Sequence, residues 1–391
     1  MSLRLATGQQ YACQKCGRCC RRFLVQLSSR EVEAISRLPW EEPELRRIHS
    51  YRVLGGRSYL MADAATARCV FLGEGDLCRM HAAFGGRCKP ISCQAYPFAF
   101  QRTFEDEITA APRFDCPSVQ QNQGFPLVHY RVELETLLED PLMPPLPPPF
   151  TEAQKEGLTR QAIQRIADFL AGLLHRPAGP EAPSLPALQT LIQRLRALGA
   201  GFLNDHETLE TVLPSMLQKA MAEHPQEEPI IGILWPERVR LRQRMLDCLR
   251  FDRQLPDFSF NARLRQCLQN SRFLWGFGNP HDLGPDLPEV SLHRAGLFEN
   301  DRWKSAPDAW ECYRRCLAVR LETRQFFGAA YYGRPFFTGL EALLDTWKTA
   351  VLLARIHAAS RKDNVLNASD GQFATGLLDH IHGRMTRGTI L

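Results

Sequence analysis

The sequence predicts a mainly α protein: an irregular, cysteine-rich metal-binding domain over residues 1–139, a Pro-rich linker over 140–150 and an α-helical domain over 151–391. Three observations predict it. Nine of the 13 cysteines fall between residues 13 and 116. The stretch "DPLMPPLPPPF", residues 140–150, holds six prolines in eleven residues, which excludes helix and central strand and favours extended chain. Beyond it, apolar residues recur at the helical period.

The elements follow in order. The first 140 residues alternate short pieces such as "FLVQLSS" with Gly-rich turns, "LGGR", "LGEGD" and "FGGR". Ser29 before "REVEAI" is the expected N-cap of a short helix that Pro39 ends. A segment with so few long periodic elements needs an organiser other than a large core, and bound metal supplies one. After the prolines, Thr151 and Gln154 stand at capping-box spacing ahead of a stripe of Leu158, Ala162, Ile166, Phe169, Leu170 and Leu173. "LPALQTLIQRLRAL", "TLETVLPSMLQKAMAEH", "PERVRLRQRMLDCLRFDRQL", "AWECYRRCLAVRLETRQFFGAAYY" and "GLEALLDTWKTAVLLARIHAASR" keep the same period. No repeat of fixed length stands out.

Composition narrows the function classes. A chain of 391 residues, 44% hydrophobic and 23% charged, is that of an ordinary globular protein of two domains. A net charge of +5 is mild. The most basic segment carries Arg238, Arg240, Arg242, Arg244 and Arg250, but Val239, Leu241, Met245, Leu246 and Leu249 give it an apolar face. It is an amphipathic helix with a solvated side, and nucleic acid is not an expected partner. No apolar run reaches the roughly 18 residues of a membrane span, and no secretory leader is visible. The expected location is cytoplasmic, where thiols stay reduced and crowded cysteines point to metal before disulfides.

"YACQKCGRCCRRF" places Cys13, Cys16, Cys19 and Cys20 within eight residues. Thiolates are the soft ligands of zinc and of iron–sulfur clusters, and two intervening residues let one turn of chain aim two sulfurs at one centre. On a regular helix, about 100° per residue would align Cys13, Cys16 and Cys20 and set Cys19 aside. Gly17 favours a looped knuckle instead. In either form three sulfurs can converge, one is left for a second site or a neighbouring role, and a further ligand comes from Cys69, Cys78, Cys88, Cys93 or Cys116. Their wider spacing is not that of a zinc ribbon. The leading pattern shares its first three cysteines with bacterial ferredoxins, but "CP" occurs only at Cys116–Pro117. Lys15, Arg18, Arg21 and Arg22 would offset thiolate charge and lower the thiol pKa values. Cys116 suits packing as well as ligation. Cys248, Cys267, Cys312 and Cys316 lie in helical context and are expected in the core, and His81 in "CRMH" reads as a solvated loop histidine.

Three stretches, "CQKCGRCCRRFLVQLSSREVEAI", "CVFLGEGDLCRMH" and "RCKPISCQAYPF", resemble the YkgJ-type cysteine-cluster family, known by a CxxCxxCC signature and described as zinc- or iron-chelating. The resemblance places Cys13, Cys16, Cys19, Cys20, Cys69, Cys78, Cys88 and Cys93 at family cysteine positions and Tyr96, Pro97 and Phe98 at its aromatic–proline element. It implies an iron–sulfur cluster, 4Fe-4S among the forms allowed, or zinc. The layout is also similar to that of flagellin lysine N-methylases of the FliB type, through "FDCPSVQQ" and "RLETRQFFGAAYYGRPFF" with the closing helix. That similarity implies, as the alternative function, a protein-lysine N-methyltransferase using S-adenosylmethionine on a substrate such as flagellin. The residues themselves lend it little: "LGAGF" and "GFGNP" are the only Gly-rich candidates for a cofactor turn, and neither follows a strand-like run. No catalytic residue is assigned. The expected function is metal binding.

Overall fold

A computed structural model describes residues 1–23, 25–41, 50–52, 58–60, 68–177, 182–224, 231–232, 234–249, 260–283 and 287–385. In the N-terminal part the chain runs β1 (Ser2–Leu5), β2 (Gln10–Tyr11), α1 (Arg18–Arg22), β3 (Gln26–Leu27), α2 (Ser29–Ser36), β4 (Ser50–Arg52) and β5 (Ser58–Leu60). It continues through α3 (Arg79–Phe84), α4 (Ile91–Ala95), β6 (Phe98–Phe104), β7 (Glu107–Pro112), α5 (Pro117–Gln121), β8 (Phe125–Pro126) and α6 (Arg131–Leu138).

The N-cap of α2 is Ser28 and not Ser29: the Ser28 hydroxyl accepts from the Glu31 amide at 3.3 Å, and the Glu31 carboxylate accepts from the Ser28 amide at 2.7 Å. Two serines in a row made the choice degenerate, and only the reciprocal bond to Glu31 resolves it. The helix ends at Ser36, ahead of Pro39.

β6 and β7 form a tight antiparallel hairpin, and β1 adds to the far edge of β7 in parallel, so that Leu3 stands beside Ile108. Every residue of β7 is buried. One face of this sheet packs on α5 and α6 in a cluster with Phe98, Phe114, Val119, Leu127 and Leu134. The same cluster takes in Cys312, Cys316 and Val319 from far down the chain. The cysteine-bearing loops hold a second, smaller core: Phe23, Val25, Leu27, Ile35, Trp40, Leu60, Cys69, Phe71 and Met80. Trp40 is its hub, stacked on Phe71 at 5.1 Å and edge-on to Phe84 at 4.8 Å. Residues 140–150 are turn and extended chain, with no helix or strand. They lie against β6, where the Phe150 amide donates to the Thr103 carbonyl at 3.2 Å. Phe150 then packs on Phe327 with ring centroids 3.8 Å apart.

The remainder is helical: α7 (Glu152–Lys155), α8 (Arg160–His175), α9 (Leu185–Leu198), α10 (Ala200–Leu203), α11 (His206–Glu223), α12 (Trp235–Leu249) and α13 (Phe260–Leu274). A minor strand pair, β9 (Lys304–Ser305) and β10 (Val365–Leu366), brackets α14 (Glu311–Glu322) and α15 (Phe336–Ser360), and α16 (Ala368–Met385) closes the described chain. The capping box Thr151–Gln154 exists, but it starts the four-residue α7. Glu156 and Gly157 then take left-handed backbone at φ 53 and 76, and the long helix restarts from Thr159. The predicted stripe therefore begins one cap later.

α15 is the central helix. From Thr349 to Ile356 every residue is buried, which is the mark of a helix enclosed on all sides. It packs on α9, α12 and α16. Among the described residues no helix is long and apolar enough to cross a membrane. Cys248, Cys312 and Cys316 are buried as expected of core thiols, but Cys267 is exposed, because α13 turns it outward with Leu264 and Leu268. Residues 250–255, the end of the predicted arginine-rich helix, lie outside the described residues.

Helix α16 has no counterpart among the predicted elements. Its sequence "ASDGQFATGLLDHIHGRM" interrupts the apolar pattern with Gly371, Gly376, Asp370, Asp379 and His380. Each interruption is a contact. A Cβ on Gly371 would lie 1.8 Å from the Ala309 carbonyl oxygen, and one on Gly376 would lie 2.3 Å from Gln120 Nε2. Both glycines let the helix approach neighbouring chain more closely than any side chain allows.

Candidate metal centre

The four leading cysteines divide between two conformations. Cys13 and Cys16 sit exposed on a loop in which Lys15 and Gly17 take left-handed backbone at φ 54 and 62. Cys19 and Cys20 follow on the single turn α1, so the knuckle expected from Gly17 is present for the first two thiols and a helix carries the second two. Gly17 serves closeness as well as conformation: a Cβ there would meet Asp76 Cβ at 2.9 Å. The Asp76 carboxylate also pairs with Arg21. These contacts press the start of α1 against the turn that runs from Cys69 to Cys78.

That turn is braced by backbone bonds. The Cys69 amide donates to the Cys20 carbonyl at 2.9 Å, and Leu72 bridges to Cys78. The Arg79 amide reaches back to the Phe71 carbonyl at 2.8 Å. Cys78 is the N-cap residue of α3. After α3 the chain turns at Gly85, φ 85, and Cys88 donates its thiol to the Phe84 carbonyl at 3.2 Å. Cys93 lies inside α4, whose first amide, Ile91, donates to Glu31 Oε1 at 2.9 Å. The Glu31 carboxylate thus serves the start of two helices at once. The outcome is that Cys19, Cys20, Cys69, Cys78, Cys88 and Cys93 all border one small aromatic core.

The sulfurs of Cys19 and Cys20 are 3.9 Å apart. As thiols they share a weak hydrogen bond. Two sulfurs bound at about 2.3 Å to one tetrahedral ion would stand about 3.8 Å apart, so the pair is spaced as one edge of such a site. The Cys20 hydrogen bond and burial push the Cys19 thiol well above its ordinary range. Burial does the same to Cys93, and negative charge on Cys69, Cys19 and Cys78 adds to it. Lys89 opposes both shifts. Lys89 is thus a cation that reaches Cys19 and Cys93, and it was not among the basic residues expected to do so. Arg21, which was expected to act there, is engaged by Asp76. Cys19 and Cys93, held as neutral thiols, suit a soft cation that replaces their protons.

Cys116 belongs elsewhere. It caps α5 and is buried in the core that contains Cys312 and Cys316, with its thiol raised to about 11 by burial, while the amides of Val119 and Ser118 pull the other way. Charge on Cys16 adds to its shift, and the Ala12 amide donates to Ser118 Oγ at 3.2 Å, so the exposed Cys13–Cys16 loop lies over this side of α5. Among the described residues no three His, Cys, Asp or Glu side chains stand together in a ready-made ligand cage. His81 is exposed. Neither Gly-rich candidate follows a strand: "LGAGF" joins α9 to α10, and "GFGNP" follows α13.

Of the residues behind this thiol wall, Tyr96 belongs to the aromatic–proline element, whereas no local pattern announced Arg113, Asp115, Asp379 or His380. Phe23 packs against Tyr96 at 5.1 Å and against the His380 ring at 5.4 Å, with the Arg113 guanidinium 4.6 Å over its face. Asp115 gathers them: it accepts from Tyr96 Oη at 3.1 Å, pairs with Arg113, and faces His380 Nδ1 at 3.5 Å. Burial would raise the Asp115 carboxyl, but Arg113, His380 and Tyr96 outweigh it and hold the group below the ordinary carboxylate range. The neighbouring Asp379 accepts from the Phe114 amide at 2.7 Å and pairs with Arg320.

Six cysteines thus line a wall backed by a buried ionic cluster and joined to a helical body. Residues 12–117 match the family model CxxCxxCC, whose description reads "putative zinc- or iron-chelating domain". The helical remainder lies outside that match. No curated protein and no solved structure matches the chain.

Proposed function

We infer that this protein binds zinc or an iron centre through the cysteines of its N-terminal domain, with Cys19, Cys20, Cys69, Cys78, Cys88 and Cys93 as the principal set and Cys13, Cys16 and Cys116 as the adjoining one. One observation carries the reading: six cysteines from α1, α4 and the chain between them border a single small core, with two of their sulfurs 3.9 Å apart. A shared metal would link these parts of the chain directly. Bound there, zinc would supply a structural tie or a Lewis acid, and an iron–sulfur centre would supply electron transfer.

The test is metal analysis by plasma mass spectrometry with a UV–visible spectrum on anaerobically prepared full chain. Iron gives a brown protein with visible absorbance, and zinc a colourless one. Cys16→Ala and Cys93→Ala lower the metal content, whereas Cys267→Ala leaves it unchanged. Equal metal in all three variants, or native protein free of both metals, overturns the reading.

A further inference from the structure

We propose that helix α16, through His380 and Asp379, is the positioning element of the thiol wall, so that the cysteine module is completed by the far end of the helical domain. The proposal rests on the metal-binding reading for its importance, but its geometry stands independently. The module's two aromatic props sit three residues beyond cysteines: Phe23 after Cys20, and Tyr96 after Cys93. The Phe23 amide bonds the Cys19 carbonyl at 3.1 Å, so Phe23 continues the α1 turn that carries both thiols. Tyr96 and Cys93 pack on the same core. The Phe23 ring is not held by the module alone, and Tyr96 is tied to Asp115, which faces His380.

His380, 1% exposed, closes the far side of Phe23 and faces Asp115, the carboxylate that also fixes Tyr96 and Arg113. One residue earlier, Asp379 takes the amide of Phe114, 265 residues away in the chain, and holds Arg320. Arg320 in turn donates to Gln325 at 3.1 Å, and Gln325 donates to the Ala99 carbonyl of β6 at 2.9 Å. The chain of contacts runs from β6 through α14 to α16 and back to the segment before Cys116. Gly376 allows it, because any larger residue would push α16 off Gln120 and the Phe114 carbonyl. Buried polar groups joined in this way tolerate few alternative arrangements, since each displaced member strands its partners. Phe23 and Tyr96, and the thiols of Cys19, Cys20 and Cys93 with them, are thereby held in one place.

The experiment measures, by mass spectrometry of the full chain prepared without metal, the alkylation rate of each cysteine, and then chelator-driven metal release from loaded protein. His380→Ala raises alkylation of Cys19, Cys20 and Cys93 at least tenfold and leaves Cys248, in the helical core, protected. His380→Gln, which keeps a donor for Asp115, restores most of the protection. Tyr96→Phe, which removes only the hydroxyl bond to Asp115, gives about a threefold rise confined to the same cysteines and serves where His380→Ala fails to fold. Metal release from the loaded His380→Ala protein accelerates about tenfold. Rates within twofold of the native protein, or an equal rise at Cys248, overturn the proposal. A native protein without metal overturns the function reading, while the alkylation rates still decide this one.

Discussion

The Glu31 carboxylate accepts the Ile91 amide at 2.9 Å across a sequence separation of 60, while its other oxygen takes the amide and hydroxyl of Ser28 at 2.7 Å each. One buried side chain thus caps α2 and fixes the start of the turn that carries Cys93. Glu31→Ala uncaps a helix and strands a buried amide, at a cost of about 2–4 kcal/mol. Urea unfolding measures that loss. Cys93 alkylation rises in the same variant, and an unchanged Cys93 rate would separate the cap from the thiol.

The exposed thiols predict a reaction pattern. Cys13, Cys16 and Cys267 are exposed, while Cys248, Cys312 and Cys316 are buried. In metal-free native protein, an aromatic disulfide reagent therefore titrates those three first. After metal loading Cys267 still reacts at its former rate and Cys13 and Cys16 slow down. Peptide mapping of the modified sites checks both statements.

Two glycine substitutions separate in sign. Gly172 in α8 has open space where a Cβ would go, so Gly172→Ala stabilises by about 0.5–1 kcal/mol through helix propensity. Gly371→Ala makes the same gain in propensity but drives a methyl into the Ala309 carbonyl, 1.8 Å away. Overpacking costs about 1–3 kcal/mol and wins. Thermal unfolding of the pair shows opposite shifts, with Gly371→Ala the less stable.

Cys312 gives the stability a pH dependence on the alkaline side. Burial raises its thiol from 9.0 to about 11, although Arg315 and Thr375 oppose the shift. The folded state therefore keeps a proton that the unfolded chain releases. The associated stability is fully present below about pH 9 and is lost as pH rises toward 11. A shift of that size corresponds to about 3 kcal/mol. Denaturant titrations from pH 8 to 11 show the decline, and Cys312→Ala makes it shallower, the buried thiols of Cys116 and Cys316 supplying the rest.

Much of this structure is written locally. "LPALQTLIQRLRAL" predicts α9 residue for residue, because Leu188, Leu191, Ile192 and Leu195 recur on one face and Ser184 caps it. The capping boxes at Ser28 and Thr151 need only residues three apart, and the slip from Ser29 to Ser28 is the size of error that adjacent serines permit. α16 escaped because its polar and glycine positions, Asp379, His380, Gly371 and Gly376, face other parts of the protein and not water. Periodicity detects a boundary between apolar core and solvent, and from Ala374 to His380 every residue of this helix is buried. Lys89 escaped for a related reason: it looks like any surface lysine until the chain brings Cys19 and Cys93 to it.

The sequence by itself determined the thiol inventory, the break at Gly17 that favours a knuckle there, and the helices whose apolar stripes face one core. Those features depend on neighbours within about four residues, where covalent geometry and backbone hydrogen bonding act directly. Only the tertiary structure decided which six cysteines share a wall, that Cys116 belongs to another core, and that Asp379 and His380 stand behind the wall. Such contacts join residues up to 265 apart, and they form only where the whole chain's packing offsets the entropy of bringing them together.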